Sequence, residues 1–477
     1  MNSQKNYLIV DLDGTLTPSD TLEESIISFI KKNPIKNFFI FLSTLLKGKE
    51  NVKEKMSKNS LLEFENLNFS REVISIIKKK KEEGSIIILC SASHQRQVSK
   101  ISEKLKFFDY AFGSRQNLSL KGLKKIEYIK SHFEMDSFSY IGNSVEDIPI
   151  WKISNEAYVY NKNIFFRVKD KDLKKNLIFL THKISFFKKI KSLFKAIRLY
   201  QWVKNFLIFV PMMLAANFGF SNFFSSAVAF FSFSLISSSV YIFNDIFDIH
   251  KDRIHPRKKE RPITNGEISI FQSFFIFIIL ISFSFLISIS FLPISFFWIL
   301  LSYIILNFFY SFYFKKLTSI SLFILSFFYS LRIYAGGEAT NLDISIWLIS
   351  FSFFFFLGLS SIKRLGELTQ LSENEIIKAD RGFKSSDINF LKIFSLLTGS
   401  AGCFLLAVYL FSNQALEIYT NPFYLLFIPF ITLAWFLNIY KTSVDGKITD
   451  DPIVFAIKDR LSILMGTLVL FFFILAL

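Results

Sequence analysis

Residues 241–262 place one amide and three carboxylates at a spacing that suits a bound metal ion. Asn244, Asp248 and Asp252 recur every four residues, so on a helix they would share one face, and Asp245 would lie beside them. Carboxylates at this spacing repel one another, so a purely structural helix gains nothing from them. A divalent cation removes the repulsion, and Mg²⁺ prefers a few carboxylates together with substrate phosphate oxygens. The stretch therefore predicts a magnesium-dependent site for a phosphorylated substrate.

A basic cluster follows the acidic residues directly and could bind the phosphates themselves. Its members are Arg253, Arg257, Lys258, Lys259 and Arg261. The alternative is the polar end of a membrane helix followed by a solvated loop. We favour a functional interpretation because acidic groups at the end of a membrane helix are costly and usually have a role.

A second set of acidic residues lies near the N-terminus, after an apolar strand. Tyr7–Val10 predicts a buried parallel strand, and Asp11 and Asp13 follow it before a glycine turn. The carboxyl ends of parallel strands are where α/β sheets bind ligands. Three later motifs add further polar residues, namely Ser91, Lys125, Asn143 and Asp147.

The order of these four motifs resembles the phosphatase-type branch of the haloacid dehalogenase superfamily. The resemblance implies that Asp11 is the nucleophile that takes a phosphoryl group. It also implies that Asp13 protonates the leaving oxygen and then activates water. Ser91 would bind the phosphoryl oxygens.

The same resemblance implies a lysine that neutralises the phosphate and a Mg²⁺ ion. Lys125 has the best spacing to the helix that follows, and Lys121 and Lys124 are alternatives. The implied metal ligands are Asp11, Asn143 and Asp147. The family often has Asp in place of Asn143, whose amide ligates Mg²⁺ without charge, so the metal would be bound more loosely or the activity would be lower. A degenerate fold with a structural role is the alternative.

The acidic stretch at residues 244–252 resembles the first aspartate-rich motif of the UbiA superfamily of membrane prenyltransferases. Upstream, Arg198–Asn205 resembles the entry to the first helix in the polyprenyl-phosphate phosphoribosyltransferase branch. The resemblance runs from about residue 190 to the C-terminus. It implies 5-phosphoribose 1-diphosphate as the donor and a polyprenyl phosphate lipid as the acceptor. The implied Mg²⁺ ligands and catalytic residues are Asp245, Asp248 and Asp252, assisted by Asn244.

Later stretches extend this resemblance. They are Tyr310–Lys316, Ser330–Gly337 and Ile362–Leu368. The last of them lacks the second aspartate-rich motif of aromatic prenyltransferases, which counts against a second Mg²⁺ clamp. Arg332, within an apolar run, should have a partner. The implied phosphate-binding residues are Lys204, Arg253, Arg257, Lys258, Arg261, Lys315, Lys363 and Arg364, although Lys315 could equally anchor a membrane helix end.

Composition separates a mixed N-terminal part from an apolar C-terminal part. The chain has 477 residues, of which 51% are hydrophobic and 62 are Phe, too apolar for an ordinary soluble protein. The formal charge of +17 could suggest nucleic acid. Because Lys and Arg in the cytoplasmic loops of a membrane protein explain it, we expect no nucleic-acid partner. Cys90 and Cys403 suggest neither a disulfide nor a metal framework.

We expect two domains joined by a basic linker. Residues 1–180 would form an α/β Rossmann-like haloacid dehalogenase fold with a small α-helical cap at about 18–80. The run Phe38–Leu42 is apolar enough to touch a membrane surface, but we favour a place in the core of the cap as the simpler interpretation. Residues 181–200 would be either an amphipathic helix on an anionic leaflet or a solvated linker. Residues 201–477 would be an all-α integral membrane domain.

Nine apolar segments of spanning length follow the linker. They are roughly 203–219, 223–243, 270–291, 294–313, 318–337, 344–362, 390–411, 421–440 and 458–477. The loops after the even-numbered segments carry most of the Lys and Arg, so the positive-inside rule places them in the cytoplasm. We therefore expect a multi-pass protein of the inner (plasma) membrane, with the N-terminal domain and both active sites cytoplasmic.

Together these patterns predict Mg²⁺-dependent transfer of 5-phosphoribosyl to a polyprenyl phosphate, after which the fused phosphatase removes the 5-phosphate. The main alternative is prenyl transfer from a polyprenyl diphosphate to an aromatic acceptor, as in quinone or pigment synthesis. A P-type cation pump is disfavoured because its stable phospho-enzyme lacks a second Asp like Asp13. A phosphatase on a passive anchor would not need nine helices with a metal motif. Chain length of the lipid and oligomeric state are not predicted.

Overall fold

The computed structural model divides into two compact units, residues 1–196 with 243–275, and residues 197–242 with 276–477. It describes residues 6–60, 66–116, 118–135, 137–160, 173, 177–180, 186–370, 382–410, 412, 417–448 and 451–477. The first residues of the predicted linker, 181–185, lie outside this range, as do the charged residues 371–381. The domain boundaries expected at 180 and 200 stay predictions.

The first unit is built on a parallel sheet of six strands in the order β3-β2-β1-β4-β5-β6. The strands are Tyr7–Val10 (β1), Ile86–His94 (β2), Tyr110–Ser114 (β3), Phe138–Gly142 (β4), Glu156–Val159 (β5) and Leu177–Phe179 (β6). Val10, the last residue of β1, pairs with Leu89 of β2 and Ile141 of β4. The chain order reverses between β1 and β4, and such a switch point opens a crevice for ligands. The predicted α/β class is confirmed, and β1, β2 and β4 are the three predicted strands.

Helices of the first unit flank the sheet and form the cap. The cap helices are Thr21–Lys32 (α1), Pro34–Leu45 (α2) and Lys49–Asn59 (α3). The others are Arg71–Glu82 (α4), Gln95–Leu105 (α5), Lys124–Lys130 (α6), Ile148–Ile153 (α7) and Phe186–Ile197 (α8). Helix α1 starts after Asp20, whose carboxylate accepts hydrogen bonds from two main-chain N–H groups of the first turn. Phe29, Val52 and Met56 form the small core of the cap.

The assignment of Phe38–Leu42 to the cap core is wrong for most of that run. Ile40 and Phe41 pack against the core. Phe38, Phe39 and Leu42, in contrast, are exposed. An apolar helix of this composition has two apolar faces, and the small cap covers only one of them.

The remaining helices of the described residues are eight long apolar ones and three short ones. They are Val210–Leu214 (α9), Phe220–Phe247 (α10), Ile249–Ile254 (α11), Ile270–Phe291 (α12), Ile294–Phe312 (α13), Thr318–Thr340 (α14), Ile346–Gln370 (α15), Ile388–Leu410 (α16), Phe427–Val444 (α17), Pro452–Ala456 (α18) and Arg460–Ala476 (α19). The short ones are α9, α11 and α18. Helices α15 and α16 pack tightly, since a Cβ on Gly402 would lie 2.7 Å from the main-chain nitrogen of Phe355. Small residues permit such close helix contacts in membrane proteins.

Seven helices in the described part of the chain are long and apolar enough to cross a membrane. The nine spans predicted from sequence are not confirmed. The first predicted span, 203–219, is a 3₁₀ stretch, Leu199–Phe209, followed by the short helix α9, which has Pro211 near its start. The last predicted span corresponds to α19, which at 17 residues is shorter than the others.

Candidate active sites

The predicted nucleophile Asp11 lies at the carboxyl end of β1 and is paired with Lys125. The Lys125 Nζ atom lies 2.8 Å from Asp11 Oδ1, and both side chains are buried. Burial raises the pKa of Asp11, although the Lys125 ammonium opposes this effect. For Lys125, burial alone would lower the pKa, but the nearby Asp11 and Asp147 carboxylates outweigh it and raise the pKa. Lys121 instead pairs at the surface with Glu146, and Lys124 is exposed. The geometry thus selects Lys125 among the three candidate lysines.

Asp13 is positioned by the start of the cap and by β2. Its Oδ1 atom accepts a hydrogen bond of 2.9 Å from the main-chain N–H of Thr21, and its Oδ2 atom accepts one from the Ser93 hydroxyl. Burial, followed by the nearby Asp20 carboxylate, raises the pKa of Asp13 to about 7. Such a carboxyl can carry a proton near neutral pH, as a general acid requires.

Ser93 and Thr21 are functional candidates that sequence analysis missed. The Thr21 hydroxyl donates a hydrogen bond of 3.1 Å to the Ser93 hydroxyl, so the two residues that bond Asp13, Thr21 through its main-chain N–H and Ser93 through its hydroxyl, also bond each other. The predicted Ser91 is buried two residues earlier on the same strand, and its hydroxyl accepts a hydrogen bond from the Ser93 main-chain N–H. The alternation of Ser91 and Ser93 after an apolar strand was the available signal.

Asp147 is enclosed by donors from the loop after β4. Its Oδ2 atom accepts hydrogen bonds from the main-chain N–H groups of Asn143 and Ser144 and from the Ser144 hydroxyl. Its Oδ1 atom accepts one of 2.7 Å from the Tyr140 hydroxyl, which in turn lies 3.0 Å from Lys125 Nζ. These contacts suit a role for Asp147 in orienting Lys125 more than a role as a direct metal ligand.

Asn143 lies against the turn that follows Asp11. A Cβ on Gly14 would come within 2.0 Å of the Asn143 amide nitrogen, and Gly14 has a φ of +70°, so only glycine fits there. Asp11 follows β1 and Asn143 follows its neighbour β4, so both lie at the same edge of the sheet, and both carry oxygen donors of the type that Mg²⁺ accepts.

Asp245, Asp248 and Asp252 lie in residues 244–261, which belong to the first unit. We call these residues the aspartate segment. The expected single helix is interrupted, since α10 ends at Phe247 and α11 begins at Ile249, with Asp248 between them. Asp245 and Asp252 nevertheless converge, because Arg261 Nη1 lies 2.9 Å from Asp245 Oδ1 and also bonds Asp252 Oδ2. Two carboxylate oxygens thus meet around one cationic group.

Asp248 contacts the cap. Its Oδ1 atom lies 3.3 Å from Lys31 Nζ of α1, and the same ammonium bonds the main-chain oxygen of Phe247. Asn244 lies three residues before the helix end and is partly buried. The sequence predicted one helix face shared by Asn244, Asp248 and Asp252. In the structure the helix is interrupted at Asp248, whose carboxylate contacts Lys31 of α1.

Arg253, a predicted phosphate ligand, is instead enclosed in an ion pair with the cap. Its guanidinium donates hydrogen bonds of 2.9 and 2.6 Å to the two carboxylate oxygens of Glu24 and one of 2.9 Å to the Ser19 hydroxyl. The Arg253 guanidinium holds the pKa of Glu24 below its usual range, against the effect of burial. Further contacts bring the same loop to the N-terminal residues, among them the Asn68 amide bonded to the Thr264 main-chain oxygen at 3.0 Å.

Three other residues predicted to bind phosphate, Arg257, Lys258 and Lys315, are less buried. Arg257 is exposed, and Lys258 lies 4.0 Å from Asp252. Lys315, in the second unit, is partly buried on the 3₁₀ turn Phe314–Lys316. Their assignment to phosphate stays a prediction.

A buried polar cluster in the second unit surrounds Asp451, a residue that sequence analysis missed. Lys204 Nζ lies 2.7 Å and Lys363 Nζ 3.1 Å from Asp451 Oδ2, and the Tyr329 hydroxyl donates to the same carboxylate at 3.1 Å. The Asp451 pKa is lowered well below its usual range because these two ammonium groups outweigh the effect of burial. The cluster brings together the predicted Lys204 and Lys363. Its available signal was the acidic pair before Pro452 in the last long loop.

Arg332 has the partners that an arginine in an apolar helix requires. Its Nε atom donates a hydrogen bond of 2.8 Å to the Asn205 side-chain oxygen, and its Nη2 atom one of 3.2 Å to the Tyr303 hydroxyl. The predicted Arg364 is also buried, and bonds Glu367 at 2.5 Å and the Tyr310 hydroxyl at 3.2 Å. The Tyr310 and Lys363–Glu367 stretches, selected separately from sequence, are thus adjacent.

Within the described residues, no group of three or more His, Cys, Asp or Glu side chains has the arrangement of a metal site. The magnesium predictions are therefore not confirmed.

Comparison with known proteins gives one family match and several relatives. Residues 205–371 match the family model for the UbiA prenyltransferase family. Over 476 residues the chain is 29% identical to the uncharacterized protein y4nM of Sinorhizobium fredii, an alignment that covers 99% of this chain and 91% of the relative. Over 290 residues it is 29% identical to the decaprenyl-phosphate phosphoribosyltransferase of Mycolicibacterium smegmatis, covering 57% of this chain and 87% of the relative.

For the N-terminal part, a solved structure of phosphoserine phosphatase in apo form aligns with 39% of this chain and 98% of its own, at 20% identity and a TM-score of 0.27. The decaprenyl-phosphate phosphoribosyltransferases of Mycobacterium tuberculosis and Corynebacterium glutamicum are 27% and 28% identical to this chain. Seven helices of spanning length accompany these similarities. Residues 205–371 thus form a domain of the UbiA prenyltransferase family, within a multi-pass membrane enzyme of prenyltransferase type.

Proposed function

We propose that the protein transfers 5-phosphoribosyl from 5-phosphoribose 1-diphosphate to a polyprenyl phosphate and then removes the 5-phosphate of the product. The observation that carries the transferase part is the similarity to decaprenyl-phosphate phosphoribosyltransferases, which spans 87% of the length of one such enzyme. The buried cluster of Lys204, Lys363 and Asp451 supports it, because two ammonium groups around one carboxylate leave a positive charge that suits an anionic substrate.

In the transfer step, a phosphate oxygen of the lipid attacks ribose C1 and the bond from C1 to the diphosphate oxygen breaks. The diphosphate leaves with the electron pair. Lys204 and Lys363 would bind phosphate oxygens, and Asp451 would fix the positions of both ammonium groups. Catalysis of this kind rests on bringing two anions together and neutralising them.

Asp245 and Asp252 fit a divalent cation, because their oxygens already meet around the Arg261 guanidinium. A Mg²⁺ ion bound there would neutralise the leaving diphosphate. Arg261 would then be released to bind the diphosphate itself. Asp248 and Asn244 would complete the site as predicted from the motif.

The phosphatase step would use residues of the first unit. An Asp11 oxygen attacks phosphorus, the bond to the sugar oxygen breaks, and Asp13 gives that oxygen its proton. Asp13 then takes a proton from the water that attacks the acyl phosphate, which releases inorganic phosphate and restores Asp11. Lys125 neutralises the phosphoryl oxygens, and Asp147 and Tyr140 orient Lys125. Asp11 and Asn143 would ligate the Mg²⁺ ion of this site.

The chain would work in the inner membrane with both sites on the cytoplasmic side, where the charged donor is available. Prenyl transfer to an aromatic acceptor is the second candidate, favoured by the family assignment alone.

The test is a membrane assay with polyprenyl phosphate and ribose-labelled 5-phosphoribose 1-diphosphate. Label should enter lipid with the wild type and with the control Asp445→Ala, an exposed carboxylate, but not with Asp245→Ala. Asp11→Asn should accumulate a lipid that still carries the 5-phosphate. If no label enters lipid while a prenyl diphosphate and an aromatic acid give product, the donor is wrong and the second candidate stands.

A further inference from the structure

The second cap helix, α2 (Pro34–Leu45), carries a row of exposed apolar side chains that the fold of the cap does not use. We call this row the cap stripe; its members are Ile35, Phe38, Phe39, Leu42, Leu45 and Leu46. They recur at three- and four-residue intervals and therefore share one side of the helix. Phe39 is 65% and Leu46 is 90% exposed, so large apolar groups face solvent where the cap itself is complete.

The opposite side of α2 already has its packing partners. Asn37 and Thr44 are buried, and the Asn37 amide donates a hydrogen bond of 2.7 Å to the main-chain oxygen of Phe29. Ile40 and Phe41 contact the cap core. Because these contacts fix α2 on the cap, the cap stripe is available to a partner outside the first unit's own core. A contiguous exposed apolar patch of this kind marks an interaction site.

The lipid bilayer is the partner that the surroundings of the stripe favour. Exposed lysines flank it at Lys32, Lys36 and Lys47, and such a combination of apolar face and cationic ends is typical of helices that lie in the interface of an anionic leaflet. The helix has 12 residues, about 18 Å, so it can lie in the interface but cannot span the membrane. The same chain has seven helices of spanning length, so a bilayer is always tethered to the cap.

The cap also contacts the phosphatase residues directly. The main-chain N–H of Thr21, the first residue of α1, bonds Asp13, and Lys53 of α3 donates a hydrogen bond of 2.9 Å to the main-chain oxygen of Ala92. Glu54 of α3 lies 2.9 Å from His94 at the end of β2. A membrane contact through α2 therefore reaches the elements that surround the phosphatase site.

We propose that the cap stripe inserts into the surface of an anionic bilayer and that the phosphatase site thereby acts on phosphate monoesters carried by membrane lipids. The substrate class rests on the proposed phosphatase function, whereas the membrane contact does not. An apolar insertion would hold the cap where a lipid headgroup can enter between the cap and the sheet edge.

The contact is tested on the full chain in nanodiscs of phosphatidylcholine with phosphatidylglycerol. An environment-sensitive fluorophore is attached at Phe39→Cys, and at Ile153→Cys as a control on an exposed apolar residue of α7. Both native cysteines are buried, which keeps labelling selective. We expect a blue-shifted emission, quenched by spin-labelled lipid, at position 39 only. Emission at 39 that matches the control overturns the membrane contact, as does quenching that depends on protein concentration, which would indicate a second copy.

The substrate class is tested with phosphatidic acid in the same nanodiscs against soluble ribose 5-phosphate. The double variant Phe39→Ser, Leu42→Ser should lower kcat/KM for phosphatidic acid by about tenfold or more, with ribose 5-phosphate hydrolysis unchanged. Ile153→Ser should change neither. Equal losses on both esters would overturn the proposed lipid preference. If the wild type hydrolyses neither ester, the phosphatase function fails, while the fluorescence still decides the membrane contact.

Discussion

The ion pair between Glu24 and Arg253 leads to a prediction that separates two roles for Arg253. The sequence motif assigns Arg253 to a substrate phosphate, whereas its guanidinium makes two hydrogen bonds to the Glu24 carboxylate. The two side chains are 0% and 3% exposed, so neither is open to a ligand in this conformation. We expect Arg253 to act as a positioning residue that anchors the aspartate segment to the cap helix α1.

The perturbation is Glu24→Met, which leaves the Arg253 guanidinium buried without its counter-ion. Removing one partner of a buried ion pair costs about 3–5 kcal/mol. Since 1.4 kcal/mol is a factor of about ten in an equilibrium constant, even the lower value shifts the balance between anchored and released segment by about a hundredfold. Part of this is absorbed by local relaxation, so we expect the transferase kcat to fall by about tenfold or more.

The informative variant is the double replacement Glu24→Met, Arg253→Met. Exchanging a buried pair for apolar side chains of similar volume is often neutral. If Arg253 only anchors the segment, the double variant should recover most of the transfer of ribose label to lipid, while each single variant loses it. Glu72→Met, an exposed carboxylate on α4, is the matched control. Values of kcat and of KM for the donor are measured separately.

One pattern of results would refute this reasoning. A double variant that stays inactive, together with a raised donor KM in Arg253→Met alone, would mean that Arg253 binds the donor's phosphates as the motif suggests. Loss of the fold is distinguished from this result in two ways. A misfolded variant would show a lowered thermal unfolding temperature, and it would lose the phosphatase activity as well.

Three further predictions concern single groups. Lys125→Met should lower phosphate release by about a hundredfold and leave lipid labelling unchanged, whereas Lys124→Met should behave as wild type in a phosphate-release assay. Tyr140→Phe removes the hydroxyl between Lys125 and Asp147 and should lower phosphatase kcat by about tenfold with little change in KM; an unchanged kcat would show that Lys125 needs no orientation. Asp451→Asn leaves the ammonium groups of Lys204 and Lys363 facing a neutral amide and should lower transferase kcat/KM by about tenfold or more in the lipid-labelling assay, an effect absent in Asp445→Asn.

The side-chain cluster around Asp11 was largely predictable because its residues lie next to short, regular elements. Asp11 follows the buried strand β1, and parallel pairing with β2 and β4 brings their carboxyl ends to the same edge. Lys125 could be preferred from its spacing alone, and its burial beside Asp11 agrees with that choice. Ser93 was missed although it alternates with Ser91, because its hydrogen bond to Asp13 joins residues 80 positions apart in the chain.

The sequence was less informative where charged residues meet across long separations. Lys204 was identified from its motif, but Asp451, its partner 247 residues later, lies in a loop with no motif of its own. Similarly, the apolar run in α2 reads the same whether it faces a protein core or a lipid surface, since both exclude water. Periodicity shows that such a helix has an apolar side. Only the fold shows that a second apolar side of α2 stays exposed.

Arg253 illustrates why the electrostatic part of a site is the hardest to read. Five basic residues follow the acidic motif, and their charge alone suggests five ligands for phosphate. In the fold, Arg253 is committed to Glu24, 229 residues away, and Arg261 to the aspartates themselves. A cation in a sequence is equally suited to a substrate anion and to a carboxylate of the same protein, because both offer oxygen acceptors of the same charge. The difference lies in which carboxylate the fold brings within reach, so an ion pair can be assigned only after the packing of the cap against the segment is known.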